Sequence, residues 1–310
     1  MLRIQYPGAI YHVINRGNYR SDVFGSAGAA QAFVKTLEEA VAQYGWELGA
    51  YVVMRNHFHL AVRTPAGNLG EGMHWLQSTF ATRFNRLRGE RGHLFQGRYQ
   101  AFVLQNEGVW ARVADYIHLN PVRAGIVPVE HLHEFRWSSL ARFLKNQRCK
   151  GLVADPWLTT LGMEDTPGGW ESYVSHLRDR YLREDEGDCR AEHDALTTGW
   201  AVGADRWRAG LAEQHHSQVD APGVEGQVVR DVKILHWRSV LAKLLSAAGK
   251  TTADVQSERK SVGWKIQLAW ELRQRGAVPY AWIAEALQMG RPDAVRKYVS
   301  EYSKNTQNTA

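Results

Sequence analysis

Tyr51-Val52-Val53-Met54-Arg55-Asn56-His57-Phe58-His59-Leu60-Ala61-Val62 is the stretch that decides how this chain folds. Aliphatic and aromatic residues flank the polar pair Arg55-Asn56. They read as two strands, Trp46 to Met54 and His57 to Arg63, joined by a very tight connection. Side chains alternate faces along a strand, so His57 and His59 point one way while Phe58 turns into the core. A histidine pair on one face is half of a divalent-metal site, although a lone pair of this kind is ordinarily just solvent-facing.

Outward from this hairpin, strand and helix signals alternate. Ala9 to Asn15 reads as a strand, followed by the polar turn Arg16 to Arg20. Phe33, Leu37, Ala40 and Val41 give Ala29 to Tyr44 a helical period, ended by Gly45. Met73, Leu76, Phe80 and Phe84 do the same for Leu69 to Leu87. Arg98 to Gln105 reads as a fourth strand, and Glu107 to about Leu119 as a third helix. The order β-α-β-β-α-β, then one more helix, predicts an α+β fold: a ferredoxin-like split βαβ sheet with helices on one face.

This α+β domain is assigned to residues 1–127. Residues 128–230 read as a helical extension and linker, 231–302 as a helical domain, and 303–310 as a disordered tail. Within the extension, Glu184-Asp185-Glu186-Gly187-Asp188 reads as a solvated acidic loop and Trp200 to Glu213 as compatible with a helix. Ala221-Pro222-Gly223 marks a break. Near the C-terminus, Pro279 suits the first turn of a helix carrying Ile283, Ala284 and Leu287. Gln288-Met289-Gly290 reads as a turn, and Pro292 opens a second helix with Val295 and Val299 inward and Arg291, Arg296 and Lys297 outward. Such a helix-turn-helix fits groove reading in duplex DNA, and a plain helical hairpin has the same pattern.

The 310 residues leave room for two or three domains, and 44% hydrophobic content suffices for a core. Lys plus Arg exceed Asp plus Glu by 38 − 32 = 6, which fits a polyanionic partner. Twelve Trp and twelve Tyr are ordinarily packing residues, with base stacking as the alternative. Cys149 and Cys189 form no cluster, which argues against a disulfide scaffold or a thiolate zinc site and suits a reducing cytosol. Met1 to Pro7 lacks a secretion signal, and no stretch approaches about 18 apolar residues. A cytoplasmic, nucleoid-associated protein without membrane contact is expected.

Tyr116-Ile117-His118-Leu119-Asn120 supplies the remaining chemistry. Tyr116 is a candidate nucleophile, and Asn120 lies one helical turn beyond it on the same face. A phenol is largely protonated at neutral pH, so its ionisation needs help, and the sequence names no general base. Asn120 precedes Pro121 and reads equally as a helix end. His118, on another helical face, reads as structural support, and Tyr99 as the disfavoured rival tyrosine.

His57-Phe58-His59 matches the HUH motif, two histidines around a hydrophobic residue, of single-tyrosine HUH transposases. More of the chain is similar to the bacterial branch called REP-associated tyrosine transposases. The shared segments are Tyr11 to Asn18, Met54 to Leu60, Phe95 to Tyr99, Tyr116 to Gly125 and Trp137-Ser138-Ser139, in that order. The resemblance spans about residues 6–140 and thins beyond. It implies metal-dependent cleavage and rejoining of single-stranded DNA through a covalent 5′-phosphotyrosine. By position it makes His57 and His59 metal ligands, Tyr116 the nucleophile and Asn120 the third ligand. Mg²⁺ or Mn²⁺ suits this set, imidazole favouring Mn²⁺.

Arg16, Asn18 and Arg20 fall where relatives touch a guide sequence. Arg83, Arg86, Arg88, Arg91 and Arg98 form a basic concentration for which phosphate contact is favoured over a solvated face. Trp75 is compatible with packing and with stacking. The expected partner is single-stranded or hairpin DNA, with duplex DNA a further partner of the C-terminal helices, and a monomer is favoured over a dimer. A non-catalytic hairpin-binding repressor is the alternative from another class, and a metal-dependent RNA nuclease the third.

Overall fold

The computed structural model describes residues 4–215, 227–276 and 278–307, which divide into two compact units after Ala204. The first unit opens with β1 (Ala9–Arg16), α1 (Ala27–Tyr44), β2 (Glu47–Val53), β3 (His57–Thr64), α2 (Leu69–Arg88), β4 (Gln100–Leu104) and α3 (Glu107–Arg123). β1 pairs antiparallel with both β3 and β4, and β2 pairs antiparallel with β3, giving the split βαβ order the sequence predicts. One addition is a short strand, β5 (Ala201–Val202), parallel to β4 at the sheet edge. It replaces the start of the helix read at Trp200, and α8 (Asp205–Gln214) begins only after it. The unpaired edge of β4 decides this, since it offers backbone partners that no local signal announces.

Helices cover both faces, not one. Phe58 meets Phe33 of α1 at 4.6 Å between ring centroids, and Phe24 stacks on Phe80 of α2 at 5.6 Å. On the other face α3 crosses β2 and β3, where Arg63 lies 4.9 Å over the Trp110 ring and bonds Glu107 at 2.8 Å. Gly49 makes that crossing possible, because a Cβ there would sit 2.4 Å from Trp110 Nε1. The unbroken apolar run Gly49 to Met54 carries the signal, since a strand buried on both faces has no polar alternation.

Several boundaries differ from the sequence expectation. Ser26 accepts from Ala29 N–H and starts α1 two residues early. β4 begins at Gln100, leaving Arg98 outside the strand. α3 passes through Pro121 to Arg123, so Asn120 lies inside the helix rather than at its end.

The chain after α3 folds back onto the first unit through α4 (Ser139–Leu144), α5 (Asp155–Leu158), α6 (Pro167–Arg183) and α7 (Glu186–Thr197). His118 is the hub of this packing. Its Nε2–H donates to Ser139 Oγ at 2.8 Å, Ser139 Oγ in turn donates to Tyr51 O, and Tyr173 of α6 lies 2.9 Å from His118 Nδ1.

Acid sensitivity follows from such burial. An unfolded histidine protonates near about 6.5. Burial lowers His12 to about 4 and His118 to about 3 in the native state. Between those values the unfolded chain binds more protons. Stability is therefore complete above about pH 6.5 and falls as the pH drops toward 4, by up to ~1.4 kcal/mol per pH unit for each histidine. Chemical denaturation at pH 7, 6 and 5 measures this slope, and a flat profile contradicts it.

The second unit continues after α8 with α9 (Gln227–Ala247), α10 (Thr252–Ser257), α11 (Gly263–Gly276), α12 (Tyr280–Ala286) and α13 (Pro292–Gln307). Leu244, Leu268, Leu272, Ile283, Leu287, Val295 and Val299 form its core. Buried Lys265 donates from Nζ to Val255 O at 2.8 Å and Glu258 O at 3.0 Å, closing the end of α10. α12 and α13 are joined by a turn with φ of 51° at Gln288 and 87° at Gly290. Pro279 caps α12 instead of sitting in its first turn, and α13 carries residues 303–307, read from sequence as tail, as helix. The Ala221-Pro222-Gly223 break lies outside the described residues. Among the described residues no helix is long and apolar enough to cross a membrane.

Candidate active site

The site lies on the sheet face that α3 covers. Strand parity puts Arg16 and His12 of β1 on this face with His57 and His59 of β3, since Arg16 pairs with His57 and Ile14 with His59. α3 brings Tyr116 over them, its ring centroid 5.6 Å from His59 and 5.8 Å from His12. The His57 and His59 rings are 5.1 Å apart. Tyr116 and both histidines thus meet within one chain.

Hydrogen bonds fix which nitrogen of each imidazole carries the proton. Leu196 O of α7 can only accept, so His12 Nδ1, 3.0 Å away, is protonated. Burial lowers His12 to about 4, leaving the ring neutral at pH 7 with a lone pair on Nε2. His59 Nδ1, 3.0 Å from that atom, must then be the donor. Its Nε2 therefore presents a lone pair. At His57, Nδ1–H donates to Asn56 Oδ1 at 2.7 Å, whose orientation is set by Asn56 Nδ2 donating to Arg20 O at 3.3 Å. Burial, then the charge of Arg16, lowers His57 to about 4, and burial with its histidine neighbours holds His59 well below the usual range. Two neutral rings, each held at Nδ1 by an outer partner and with no hydrogen bond at Nε2 among the described residues, match what a divalent cation needs. Among the described residues no three His, Cys, Asp or Glu side chains converge on a metal position, so a third protein donor must be of another type. Asn120, named from sequence as that donor, lies one turn beyond Tyr116 on α3. Its Nδ2 donates to Tyr116 O at 2.9 Å, which leaves Oδ1 for a cation.

The Tyr116 phenol is buried, which raises its pKa, while the Asn120 amide and the charges of Arg123 and Arg16 pull the other way and lose. Its hydroxyl lies 2.7 Å from His193 Nδ1. His193 sits on α7, whose first residues belong to the acidic stretch read from sequence as a solvated loop. The loop part of that reading is overturned, since the stretch opens a helix, while Asp185 and Asp188 are exposed as expected. Asp185 caps the helix by accepting from Asp188 N–H. Glu184 accepts from Arg123 Nη2 at 2.8 Å, and Glu192 accepts from the same nitrogen at 2.7 Å. Arg180 of α6 joins Glu192 and Asp115 to this cluster, and Arg123 also lies 5.3 Å over the Tyr116 ring. Glu184 is drawn out of solvent because Arg123 and Arg180 pair with it, whereas Asp185 and Asp188 stay exposed.

Arg123→Ala leaves Glu184 and Glu192 half-buried with only Arg180 between them. We expect a loss of about 3 kcal/mol, roughly 10 °C in Tm, because uncompensated buried charge is costly. Thermal unfolding checks this, and an unchanged Tm contradicts the anchoring role.

The basic residues named from sequence divide. Arg16 is exposed and close enough to act electrostatically on His57, His59 and Tyr116. Asn18 and Arg20 lie in a left-handed loop, with φ of 52° at Tyr19 and 57° at Arg20. Arg83 is held by Glu39 and Thr36 of α1, and Arg88 by Glu90, so neither is a bare cation. Arg86 and Arg98 are exposed. Trp75 packs beside Tyr44, which answers the question left by its sequence position. Arg291, Arg296 and Lys297 are exposed in the second unit, with Arg296 over Tyr280 and Lys297 3.9 Å from Glu301. Buried Tyr99 interacts with Tyr11, whose side chain leaves β1 on the face opposite His12. Sequence reasoning missed His12, although its parity with Arg16 on β1 announces its face. It also missed His193 and Tyr19, for which no local pattern exists.

Residues 5–120 match the family model described as "Transposase IS200 like". Among solved structures, a REP-associated tyrosine transposase bound to a REP hairpin is 19% identical, covering 51% of this chain and 89% of that one, with a TM-score of 0.40. A Deinococcus radiodurans R1 protein assigned as a transposase is 20% identical, covering 46% of this chain and 95% of that one, with a TM-score of 0.28. No curated protein matches the chain.

Proposed function

We propose that this chain, whose residues 5–120 match the IS200-like transposase model, is a metal-dependent single-strand DNA endonuclease and strand transferase working through a covalent 5′-phosphotyrosine on Tyr116. The observation that carries the reading is the Tyr116 phenol beside His59, with both HUH rings neutral and their Nε2 atoms available.

His57 Nε2, His59 Nε2 and Asn120 Oδ1 would hold Mg²⁺ or Mn²⁺, which when bound neutralises charge on the scissile phosphate. The chain's own residues do the rest. Arg16 adds a guanidinium on the same face for a non-bridging phosphate oxygen. Tyr116 supplies the oxygen that forms the new bond to phosphorus as the bond to the 3′-oxygen breaks. The tyrosine ester conserves the bond energy, so a free 3′-hydroxyl reverses the step and joins strands.

The substrate we assign is single-stranded DNA beside a hairpin. Support comes from the loop at Asn18 to Arg20, where Tyr19 is 92% exposed and held at positive φ. A non-glycine residue held there costs order 1 kcal/mol, and such strain gathers at ligand-contacting loops. We assign the ring to stacking on an unpaired base, and Arg16, Arg20, Arg86 and Arg98 to phosphate contacts. Arg291, Arg296 and Lys297 are assigned to duplex DNA, α13 being the groove helix.

Incubation with end-labelled hairpin DNA and Mn²⁺, followed by denaturing electrophoresis, tests the proposal. A protein-linked 5′-phosphate product that EDTA abolishes supports it. Binding without an adduct means a hairpin reader, and cleavage without an adduct means hydrolysis.

A further inference from the structure

We infer that His193 is the general base of this site, taking the Tyr116 phenolic proton on Nδ1 as the oxygen attacks phosphorus. The inference rests on Tyr116 being the nucleophile and supplies the proton acceptor that the sequence does not name.

The geometry is that of a hydrogen bond already made. Tyr116 Oη and His193 Nδ1 are 2.7 Å apart, the reach a proton transfer requires. No other histidine of the cluster is available for this task. His12 Nδ1 is spent on Leu196 O, and its Nε2 on His59. His59 Nδ1 is spent on His12, and His57 Nδ1 on Asn56, with their Nε2 atoms directed to cation binding. His118 is closed between Tyr173 and Ser139.

His193 also has a way out for the proton. The phenol is buried, only 4% exposed, whereas His193 is exposed and can pass a proton on to water. Its position is fixed by more than the one bond. Its neighbour Glu192 is held by Arg123 and Arg180, and Leu196, one turn along α7, is tied through its carbonyl to His12. A side chain gathered by chance against a tyrosine would not need anchors on both sides of it.

The step balances. The phenolic O–H proton moves to Nδ1, and the oxygen's electron pair forms the bond to phosphorus. The bond from phosphorus to the 3′-oxygen breaks, and that oxygen takes a proton from water. In the joining direction the imidazolium returns its proton to the departing phenolate.

Single-turnover cleavage with full-length protein decides the matter. His193→Ala is expected to slow adduct formation by about 10²–10⁴-fold, the range of a lost general base, with DNA binding unchanged. Added imidazole restores rate to the alanine variant, while His193→Gln, which accepts a hydrogen bond but holds no proton, stays slow and is not restored. An alanine variant within threefold of wild type overturns the inference. So does a slow alanine variant that imidazole leaves slow, or a glutamine variant as fast as wild type. Wild-type protein that forms no adduct under the same conditions fails the nucleophile assignment instead, and the two failures are therefore told apart.

Discussion

Tyr116→Phe is expected to abolish the covalent adduct and lower cleavage by roughly 10⁴-fold or more, the scale on which removal of an attacking group acts. The substitution removes one oxygen and leaves the ring. The phenyl group keeps its place over His59 and His12 and under Arg123. The hydroxyl's bond to His193 is given up, and that exposed imidazole finds water instead; the weaker contact with the Asn120 amide goes with it. Stability should therefore change by no more than ~1 kcal/mol. Hairpin binding, measured by mobility shift, should match wild type. A phenylalanine variant that still forms a protein-linked product would show that another residue attacks.

His59→Ala is expected to be nearly as severe and to fail for a different reason. Removing one of two imidazoles from the proposed three-donor set is expected to lower cation affinity about 10²-fold or more, by analogy with losing even an outer partner. Loss of charge neutralisation at phosphate, worth several kcal/mol, then lowers cleavage by roughly 10³-fold. Calorimetric titration with Mn²⁺ reads the first effect without reference to turnover. His12→Ala should reproduce part of it, because His12 Nε2 is what keeps the His59 proton on Nδ1. His12→Gln, whose amide oxygen can accept from His59, should bind Mn²⁺ better than His12→Ala. Equal Mn²⁺ affinity in wild type and His59→Ala would remove His59 from the ligand set.

The two variants separate binding from attack. The tyrosine variant keeps cation and DNA affinity without chemistry, while the histidine variant loses the cation and keeps the phenol. Both effects are read against a common background, since neither substitution removes a charged group of the Arg123 cluster.

The parts of this architecture legible in the sequence are those that a short-range period controls. The two-residue repeat of a strand places His57 and His59 together and Phe58 opposite them, whatever surrounds the hairpin. The four-residue spacing of a helix places Tyr116 and Asn120 on one face, and Pro121 did not interrupt it. The glycine-containing turn between α12 and α13 follows from the left-handed φ that Gly290 accepts.

What the sequence by itself determined is therefore the β-α-β-β-α-β order, the parity of the histidines and the helical register of the tyrosine, because these depend on neighbours within a few residues. Only the tertiary structure decided that helices cover both faces and that the acidic stretch at 184–188 begins a helix. It alone set His12 and His193 around the phenol, with the Leu196 carbonyl behind His12. Those outcomes are governed by charge pairing and burial between segments some 60 to 180 residues apart, and no periodicity within either segment records the other.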